Sequence, residues 1–254
     1  MRLEGRTAIV TGGAVGIGRH YSHALAAEGA QVMIADIRDG TPVAEEIAAK
    51  YGRNSTASVQ FDVSNEAQCK TVVAKTLERF GKIDILVNNA ALYSVLKEQK
   101  FQDIDVDVWD KVMAVNLRGT FLMCKHVVPP MIAANYGKII NIGSGTPTRG
   151  VPWLMHYVTS KGGIIGMTRA MSRELGDHGI RVNTLSPGFT MSESNIKDNP
   201  GHVQTARDGA IKARALKRDE EPEDLLGALV FLASAESDFI TGQNIAVDGG
   251  STNL

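Results

Sequence analysis

The chain contains 254 residues, of which 43% are hydrophobic and 22% are charged, and its formal net charge is −1. This composition is typical of a globular protein with a sizeable core, and the near-zero charge disfavours nucleic acid and acidic membranes as partners. The two cysteines, Cys69 and Cys124, lack metal-ligand spacing and are typical of reduced cytoplasmic thiols. We find no apolar run long enough to span a bilayer, no signal-peptide pattern and no linker. We therefore predict one cytoplasmic domain over residues 1–254, without a metal site.

The N-terminal segment combines a strand, a glycine-rich turn, a helix and a second strand. The turn contains Gly12, Gly16 and Gly18, and the second strand ends at Asp36. Such a turn lets the backbone approach a pyrophosphate closely, and the helix N-terminus supplies N–H groups. An acid about 20 residues further on can accept hydrogen bonds from both ribose hydroxyls. This order predicts nucleotide binding, although a glycine turn alone is often only steric.

Asp36 also predicts which nucleotide binds. A carboxylate repels a 2′-phosphate, so this residue favours NAD over NADP. Arg38 follows two residues later, and we interpret it as a surface residue.

Strands and helices continue to alternate along the chain. Strands are predicted over residues 7–10, 32–35, 57–61, 83–87, 138–142, 180–185 and 243–247. Helices are predicted over residues 16–28, 42–51, 64–80, 107–116, 118–135, 155–176 and 222–234. The stretch 191–220 is polar and lacks a strand pattern, and we predict a substrate lid over approximately residues 188–220.

Polar residues stand at the ends of several predicted strands. Asp62 follows the third strand, Asn88 the fourth and Ser144 the fifth. Ligands bind at that edge in open α/β sheets, but a plain turn role is the alternative for Asp62 and Asn88. Asn116 lies where two predicted helices meet, and it either caps locally or serves a polar network.

Tyr157 and Lys161 lie four residues apart, on one face of a long predicted helix. A free phenol titrates near pH ~10, so it is a poor base at neutral pH. A nearby ammonium favours the phenolate and moves the phenol towards acid–base chemistry. The pattern is short, so an incidental pair is the alternative unless the rest of the chain supports a site.

Six motifs occur in a fixed order along the chain. They are Thr11-Gly12-x-x-x-Gly16-x-Gly18, Asn88-Asn89-Ala90, Asn116, Ser144, Tyr157-x-x-x-Lys161 and Pro187-Gly188. Together they resemble the short-chain dehydrogenase/reductase family in its single-domain form, over essentially the whole chain. One departure is Ala91, where the family commonly has glycine; we expect a small backbone adjustment and retained activity.

The resemblance implies an α/β fold with one Rossmann-type, doubly wound parallel sheet of about seven strands and helices on both faces. It implies a catalytic group of four residues. Tyr157 would be the general acid/base, and Lys161 would lower its pKa and hold the nicotinamide ribose. Ser144 would hold the substrate oxygen, and Asn116 would help to hold a water that links Lys161 to solvent. A homotetramer or homodimer is implied as well.

The same resemblance implies where NAD binds. The glycines would hold the pyrophosphate, Asp36 the adenine ribose, and Thr190 the carboxamide. The full set of expected cofactor residues is Gly12, Gly16, Ile17, Gly18, Asp36, Asp62, Val63, Asn88, Asn89, Ala90, Tyr157, Lys161, Pro187, Gly188 and Thr190.

The substrate is expected to contact residues close in sequence to the catalytic positions. Besides Ser144, the candidates are Tyr93, Thr146, Trp153, Leu154, Met155 and Phe189. Most are apolar or aromatic, which suits an uncharged secondary alcohol or ketone with a hydrophobic arm, although several could be core residues. The basic residues in the presumed lid are expected to be solvated, not to bind an anionic substrate: Lys212, Arg214, Lys217 and Arg218. We expect His156 to point away from the site.

Two alternatives to an NAD-dependent alcohol dehydrogenase stay open. One is a 3-oxoacyl-carrier-protein or 3-oxoacyl-CoA reductase, against which stand Asp36 and the lack of a basic docking patch at residues 133–135. The other is a regulator that binds NAD without turnover, which the presence of all four catalytic residues disfavours.

Overall fold

The computed structural model describes residues 1–52, 54–198 and 200–252, and its centre is a seven-stranded parallel sheet. The strands are β1 Thr7–Thr11, β2 Gln31–Asp36, β3 Thr56–Gln60, β4 Ile85–Asn88, β5 Gly137–Ile142, β6 Ile180–Pro187 and β7 Asn244–Val247. The α-helices are α1 Gly16–Ala27, α2 Thr41–Tyr51, α3 Glu66–Phe80, α4 Val106–Val112, α5 Gly119–Ala133, α6 Thr146–Arg149, α7 Met155–Leu175, α8 Glu193–Asp198, α9 Pro200–Ala213 and α10 Pro222–Ala233. The strand order β3-β2-β1-β4-β5-β6-β7 confirms the predicted doubly wound fold.

Helices cover both faces of the sheet, which explains why the strands are apolar at successive positions. Side chains alternate between the faces, so Val10 packs with Leu25 of α1 on one side. Its neighbour Ile9 packs with Val72 of α3 and Met123 of α5 on the other side. Each such buried side chain contributes about 1.5–3 kcal/mol. The two cores fix the strand ends, and therefore the residues that follow each strand.

Two local features differ from the predicted elements. A π-helical segment over Met113–Arg118 joins α4 to α5, so the two predicted helices form one continuous helical stretch. Most of the predicted lid is helical and forms α8 and α9.

Ala91 is not among the described residues with positive φ, so alanine fits at this position. Within the described ranges, the helices are too short or too polar to cross a membrane.

Candidate active site

A cleft of about 680 Å³ runs along the carboxyl ends of the strands. Its lining includes Gly12 after β1, Asp36 at the end of β2 and Ser144 after β5. The cleft lies beside β1 and β4, where the strand order changes direction. Nucleotides bind at this switch point in doubly wound sheets.

The glycine-rich turn after β1 lets the backbone approach a ligand closely. Gly12 and Gly16 have φ angles of +62° and +53°, a region that favours glycine. A Cβ on Gly18 would collide with the carbonyl oxygen of Gly12. No described side chain caps the N-terminus of α1, so its first N–H groups are available to an anion. The turn therefore fits a pyrophosphate.

Asn89 braces this turn from the end of β4. Its Nδ2 donates to the carbonyl oxygens of Thr11 and Gly12, at 3.0 Å each. The Oγ1 of Thr11 accepts in return from the backbone N–H groups of Asn89 at 3.0 Å and Ala90 at 3.1 Å. These bonds hold the two central strand ends together beneath the cleft.

Asp36 places a carboxylate at one end of the cleft. The side chain is only 5% exposed, and its two oxygens accept from the backbone N–H groups of Ala14 and Arg38, at 2.9 Å each. Each carboxylate oxygen has a second acceptor site, so the group can still bind ribose hydroxyls. Arg38 is exposed, as expected, and lines the same part of the cleft.

The structure brings Ser144, Tyr157 and Lys161 together in the cleft. Tyr157 and Lys161 project from the same face of α7, with Lys161 Nζ 5.8 Å from the centre of the phenol ring. Ser144 is hydrogen-bonded to the Tyr157 side chain. The ring of Tyr93 packs on Tyr157, with centroids 4.8 Å apart. A polar substrate group that entered here would meet a hydroxyl pair beside a buried amine.

Burial dominates the electrostatics of this group. It raises the pKa of Tyr157, Tyr93 adds to the rise, and the hydrogen bond with Ser144 opposes it. Burial lowers the pKa of Lys161 to about 8. Lys161 Nζ donates to the carbonyl oxygen of Ile142 at 2.7 Å. In this arrangement the phenol keeps its proton at neutral pH, which is the form that can donate to a substrate oxygen.

Asn116 lies in the π-helical segment, beside the cleft and not on its wall. Its Oδ1 accepts from Leu92 N–H at 2.7 Å, and its Nδ2 donates to Leu92 O at 3.2 Å and to Ser160 Oγ at 3.1 Å. Asn116 therefore belongs to a polar network and is not a local cap. The side chain fixes the segment after β4 against the residue next to Lys161.

Fourteen of the expected cofactor residues line the cleft, and Asn88 is the exception. The fourteen are Gly12, Gly16, Ile17, Gly18, Asp36, Asp62, Val63, Asn89, Ala90, Tyr157, Lys161, Pro187, Gly188 and Thr190. Asn88 instead lies within the sheet, where its Nδ2 donates to Asn141 Oδ1 at 2.9 Å and Cys124 Sγ at 3.3 Å. It joins β4 to β5 and lies outside the lining of the cleft.

The expected substrate residues also gather in the cleft, apart from Met155. The lining contains Tyr93, Ser144, Thr146, Trp153, Leu154 and Phe189. Met155 is 40% exposed and lies outside this lining. His156 is fully buried, and its Nδ1 accepts from the backbone N–H of Tyr157 at 2.9 Å, so it supports the start of α7.

The sequence did not indicate two kinds of residue that shape the cleft. Helices α8 and α9 contribute wall residues such as Asn195 and Ala210, because the predicted lid is helical. Arg214, expected to be solvated, is 2% exposed and lies 3.4 Å from the buried Glu220. Glu220 is the middle residue of the acidic run 219–221, and the sequence alone does not show which of the three acids is buried.

Comparisons with known proteins agree with this geometry. The sequence profile of a family described as enoyl-(acyl carrier protein) reductase matches residues 12–252. Galactitol 2-dehydrogenase from Agrobacterium fabrum is 39% identical over 262 residues, which cover 99% of each chain. The 3-oxoacyl-[acyl-carrier-protein] reductase FabG from Thermotoga maritima is 37% identical over 252 residues, covering 98% of this chain and 99% of its own. Among solved structures, levodione reductase superposes with a TM-score of 0.91 at 29% identity and covers 98% of both chains.

Proposed function

We propose, from the premise that this chain belongs to the short-chain dehydrogenase/reductase family, that it is an NAD-dependent dehydrogenase of a secondary alcohol or the reverse ketone reductase. Family membership makes the chain an oxidoreductase. One observation supports the proposed cofactor and substrate class. Tyr157, Ser144 and Lys161 share a single cleft with the glycine turn and the carboxylate of Asp36.

The protein's own part in this reaction is to hold and move one proton. Nicotinamide, when bound, supplies or accepts the hydride. In ketone reduction the Tyr157 hydroxyl donates its proton to the substrate oxygen, and in alcohol oxidation the phenolate takes that proton back. Ser144 hydrogen-bonds the same oxygen and so aligns it with the phenol. Lys161 supplies the positive charge that favours the phenolate when it forms. The water expected beside Asn116 stays a prediction.

Asp36 supports NAD as the cofactor. Its buried carboxylate lines the cleft and keeps acceptor sites for two ribose hydroxyls. A 2′-phosphate at this position would bring a second negative charge against it, and close like charges in a partly buried site are costly. The pyrophosphate would lie on the glycine turn and the N-terminus of α1.

The substrate half of the cleft supports an uncharged alcohol or ketone. Its walls include Tyr93, Trp153, Leu154 and Phe189, which are apolar or aromatic. Such a wall buries a hydrophobic arm, while Ser144 and Tyr157 orient the single polar group. A relative named galactitol 2-dehydrogenase agrees with an alcohol as substrate. We propose that residues 188–220 act as a lid over this half.

A 3-oxoacyl reductase is the second candidate, and the 37% identity to a protein of that name favours it. Two features count against it. Asp36 disfavours NADPH, and residues 133–135 at the end of α5 offer no basic side chain for an acidic carrier. A non-catalytic regulator is disfavoured because all four expected catalytic residues are present, and Ser144, Tyr157 and Lys161 line one cleft.

The test is a steady-state comparison of cofactors and substrates. We expect NADH formation from NAD with members of a panel of racemic and chiral secondary alcohols, and a clear preference for NAD over NADP. A clear preference for NADPH would overturn the NAD proposal. Activity confined to acyl thioesters would promote the 3-oxoacyl reductase.

We also propose a cytoplasmic homotetramer or homodimer. The large apolar side chains of Phe121 and Phe239 are more than half exposed, which suits surfaces covered by further subunits. Light scattering coupled to gel filtration tests this directly, and a mass of one chain would contradict it.

A further inference from the structure

Glu220 is a buried acid outside the catalytic group. It lies just before α10, is 4% exposed, and its side chain reaches the segment that follows β6. Oε1 accepts from Thr190 Oγ1 at 2.8 Å and from Gly188 N–H at 3.0 Å. Its backbone carbonyl accepts from Met191 N–H at 2.8 Å. One residue therefore holds the segment 188–191, which forms part of the cleft wall.

Four titratable side chains lie near this carboxylate, and one of them is Arg218, two residues earlier in the chain. Arg214, which follows α9, places Nη2 3.4 Å from Oε2. Asp248 follows β7, and Tyr21 projects from α1. Burial raises the pKa of Glu220 to about 7 and Asp248 adds to the rise, against the bonds from Thr190 and Gly188 and the charge of Arg214. Glu220 therefore gains or loses its proton within the pH range in which the enzyme can be assayed.

The bond to Glu220 determines the direction in which the Thr190 hydroxyl points. A hydroxyl has one proton to donate and two acceptor sites, whereas an ionised carboxylate only accepts. Thr190 must therefore donate its proton to Glu220, which leaves its oxygen only acceptor capacity towards the cleft that it lines. A carboxamide offers N–H donors, so Thr190 in this state matches the amide nitrogen of nicotinamide.

We propose that Glu220 is a positioning residue for the cofactor: by accepting the proton of Thr190, it makes that hydroxyl an acceptor for the nicotinamide carboxamide. This inference rests on the proposed NAD-dependent function, and adds to it a residue that acts through Thr190 without touching the cofactor. Protonation of Glu220 at lower pH provides an O–H that can donate to Thr190, and the hydroxyl is then free to reverse.

Glu220→Gln keeps the shape of the side chain but no longer forces the Thr190 hydroxyl to donate its proton to residue 220. If the amide Nε2 faces Thr190, it donates and reverses the hydroxyl bond, and it also opposes the N–H of Gly188. If Nε2 faces Arg214 instead, the N–H groups of the amide oppose the N–H groups of the guanidinium, because both are donors. Glu223→Gln is the matched control, because Glu223 lies three residues away on α10 and its side chain is 65% exposed.

The experiment measures the affinities of NADH and of ADP-ribose, which has the adenine and pyrophosphate but no nicotinamide. One hydrogen bond contributes about 0.5–1.5 kcal/mol, so Glu220→Gln should weaken NADH binding by about two- to tenfold. ADP-ribose affinity should stay within about twofold, and Glu223→Gln should change neither affinity. When Thr190 is already replaced by Val, Glu220→Gln should cause no further loss of NADH affinity.

The unaltered protein gives a test that needs no variant. As the pH is lowered from 8 to 6, its affinity for NADH should fall more than its affinity for ADP-ribose. In Glu220→Gln the ratio of these two affinities should not change with pH. Equal weakening of both ligands, or a full Glu220→Gln effect in the Thr190→Val background, would overturn the inference. If the unaltered protein bound neither ligand, the proposed function itself would fail.

Discussion

Gly18→Ala should disrupt the glycine turn, because the added Cβ meets the carbonyl of Gly12 and the side-chain amide of Asn89. The carbonyl belongs to the backbone and cannot rotate away, so the turn must shift. Overpacking of this kind costs about 1–3 kcal/mol, and loss of one of the two 3.0 Å bonds from Asn89 adds about 1 kcal/mol. We expect the free energy of unfolding to fall by roughly 2–4 kcal/mol and NADH affinity to fall at least about tenfold.

Gly166→Ala is the matched control for this experiment. Gly166 lies within α7, and no described group outside its own helical backbone comes within 4 Å of an added Cβ. Alanine is favoured over glycine in a helix by about 1 kcal/mol, so this variant should be at least as stable as the original. Denaturant unfolding and NADH fluorescence titration measure the two effects. Unchanged stability and affinity in Gly18→Ala would refute the assigned turn.

Three further changes test other parts of the cleft. Ser144→Ala should lower kcat/KM about 10²–10³-fold in steady-state assays and leave NADH affinity unchanged, because the hydroxyl contacts Tyr157, Thr146 and the proposed substrate oxygen but not the cofactor. Asp36→Asn should weaken NADH in a binding titration more than NADPH, since it removes the charge that repels the 2′-phosphate; equal losses would contradict the assignment. Lys161→Met should abolish turnover yet unfold at higher denaturant at pH 7. Burial lowers the pKa of Lys161 from 10.5 to about 8, so folding this cation costs roughly 3 kcal/mol below pH 8, offset by about 1 kcal/mol from the bond to Ile142. Between pH 8 and 10.5 the unfolded state binds more protons, so the original gains stability with pH relative to Lys161→Met. A constant difference between these two proteins would contradict that reasoning.

The nucleotide-binding unit was predictable because its signals are local. The glycine turn, α1 and Asp36 all lie within one short stretch of chain, and each follows from the residue types at its own positions. The strand pattern was equally clear, since both faces of the sheet are covered and most strands carry apolar residues at successive positions. Predicted strand β3, residues 57–61, differs by one position from the observed Thr56–Gln60.

The choice between two adjacent asparagines depended on the sheet itself. Asn88 pairs in register with Asn141 of β5, so its side chain is engaged within the sheet. Asn89, one position later, turns towards Gly12 and the cleft. Successive side chains point in opposite directions in a strand. Which of the two asparagines lines the cleft depends on the strand register and on where the strand ends, which a single sequence does not specify.

The buried ionic contacts around Glu220 could not be predicted from the sequence for a similar reason. Arg214 was expected to be solvated because its neighbours are polar, yet it donates to the carbonyl oxygens of Arg218 and Phe189 inside the fold. Its partners come from the segments after β6 and before α10, which approach only when the sheet forms. Buried ionic groups of this kind depend on tertiary contacts, whereas sequence patterns report burial only for apolar residues.

Tyr157→Phe tests the central claim, that this phenol transfers the proton, more directly than any other change. Phenylalanine preserves the ring that packs on Tyr93 and removes only the hydroxyl. The decisive measurement is turnover of the best secondary alcohol with NAD, made beside an NADH binding titration on the same sample. We predict a loss of kcat of about 10²–10⁴-fold or more, with NADH affinity unchanged. Full activity in Tyr157→Phe would contradict the mechanism.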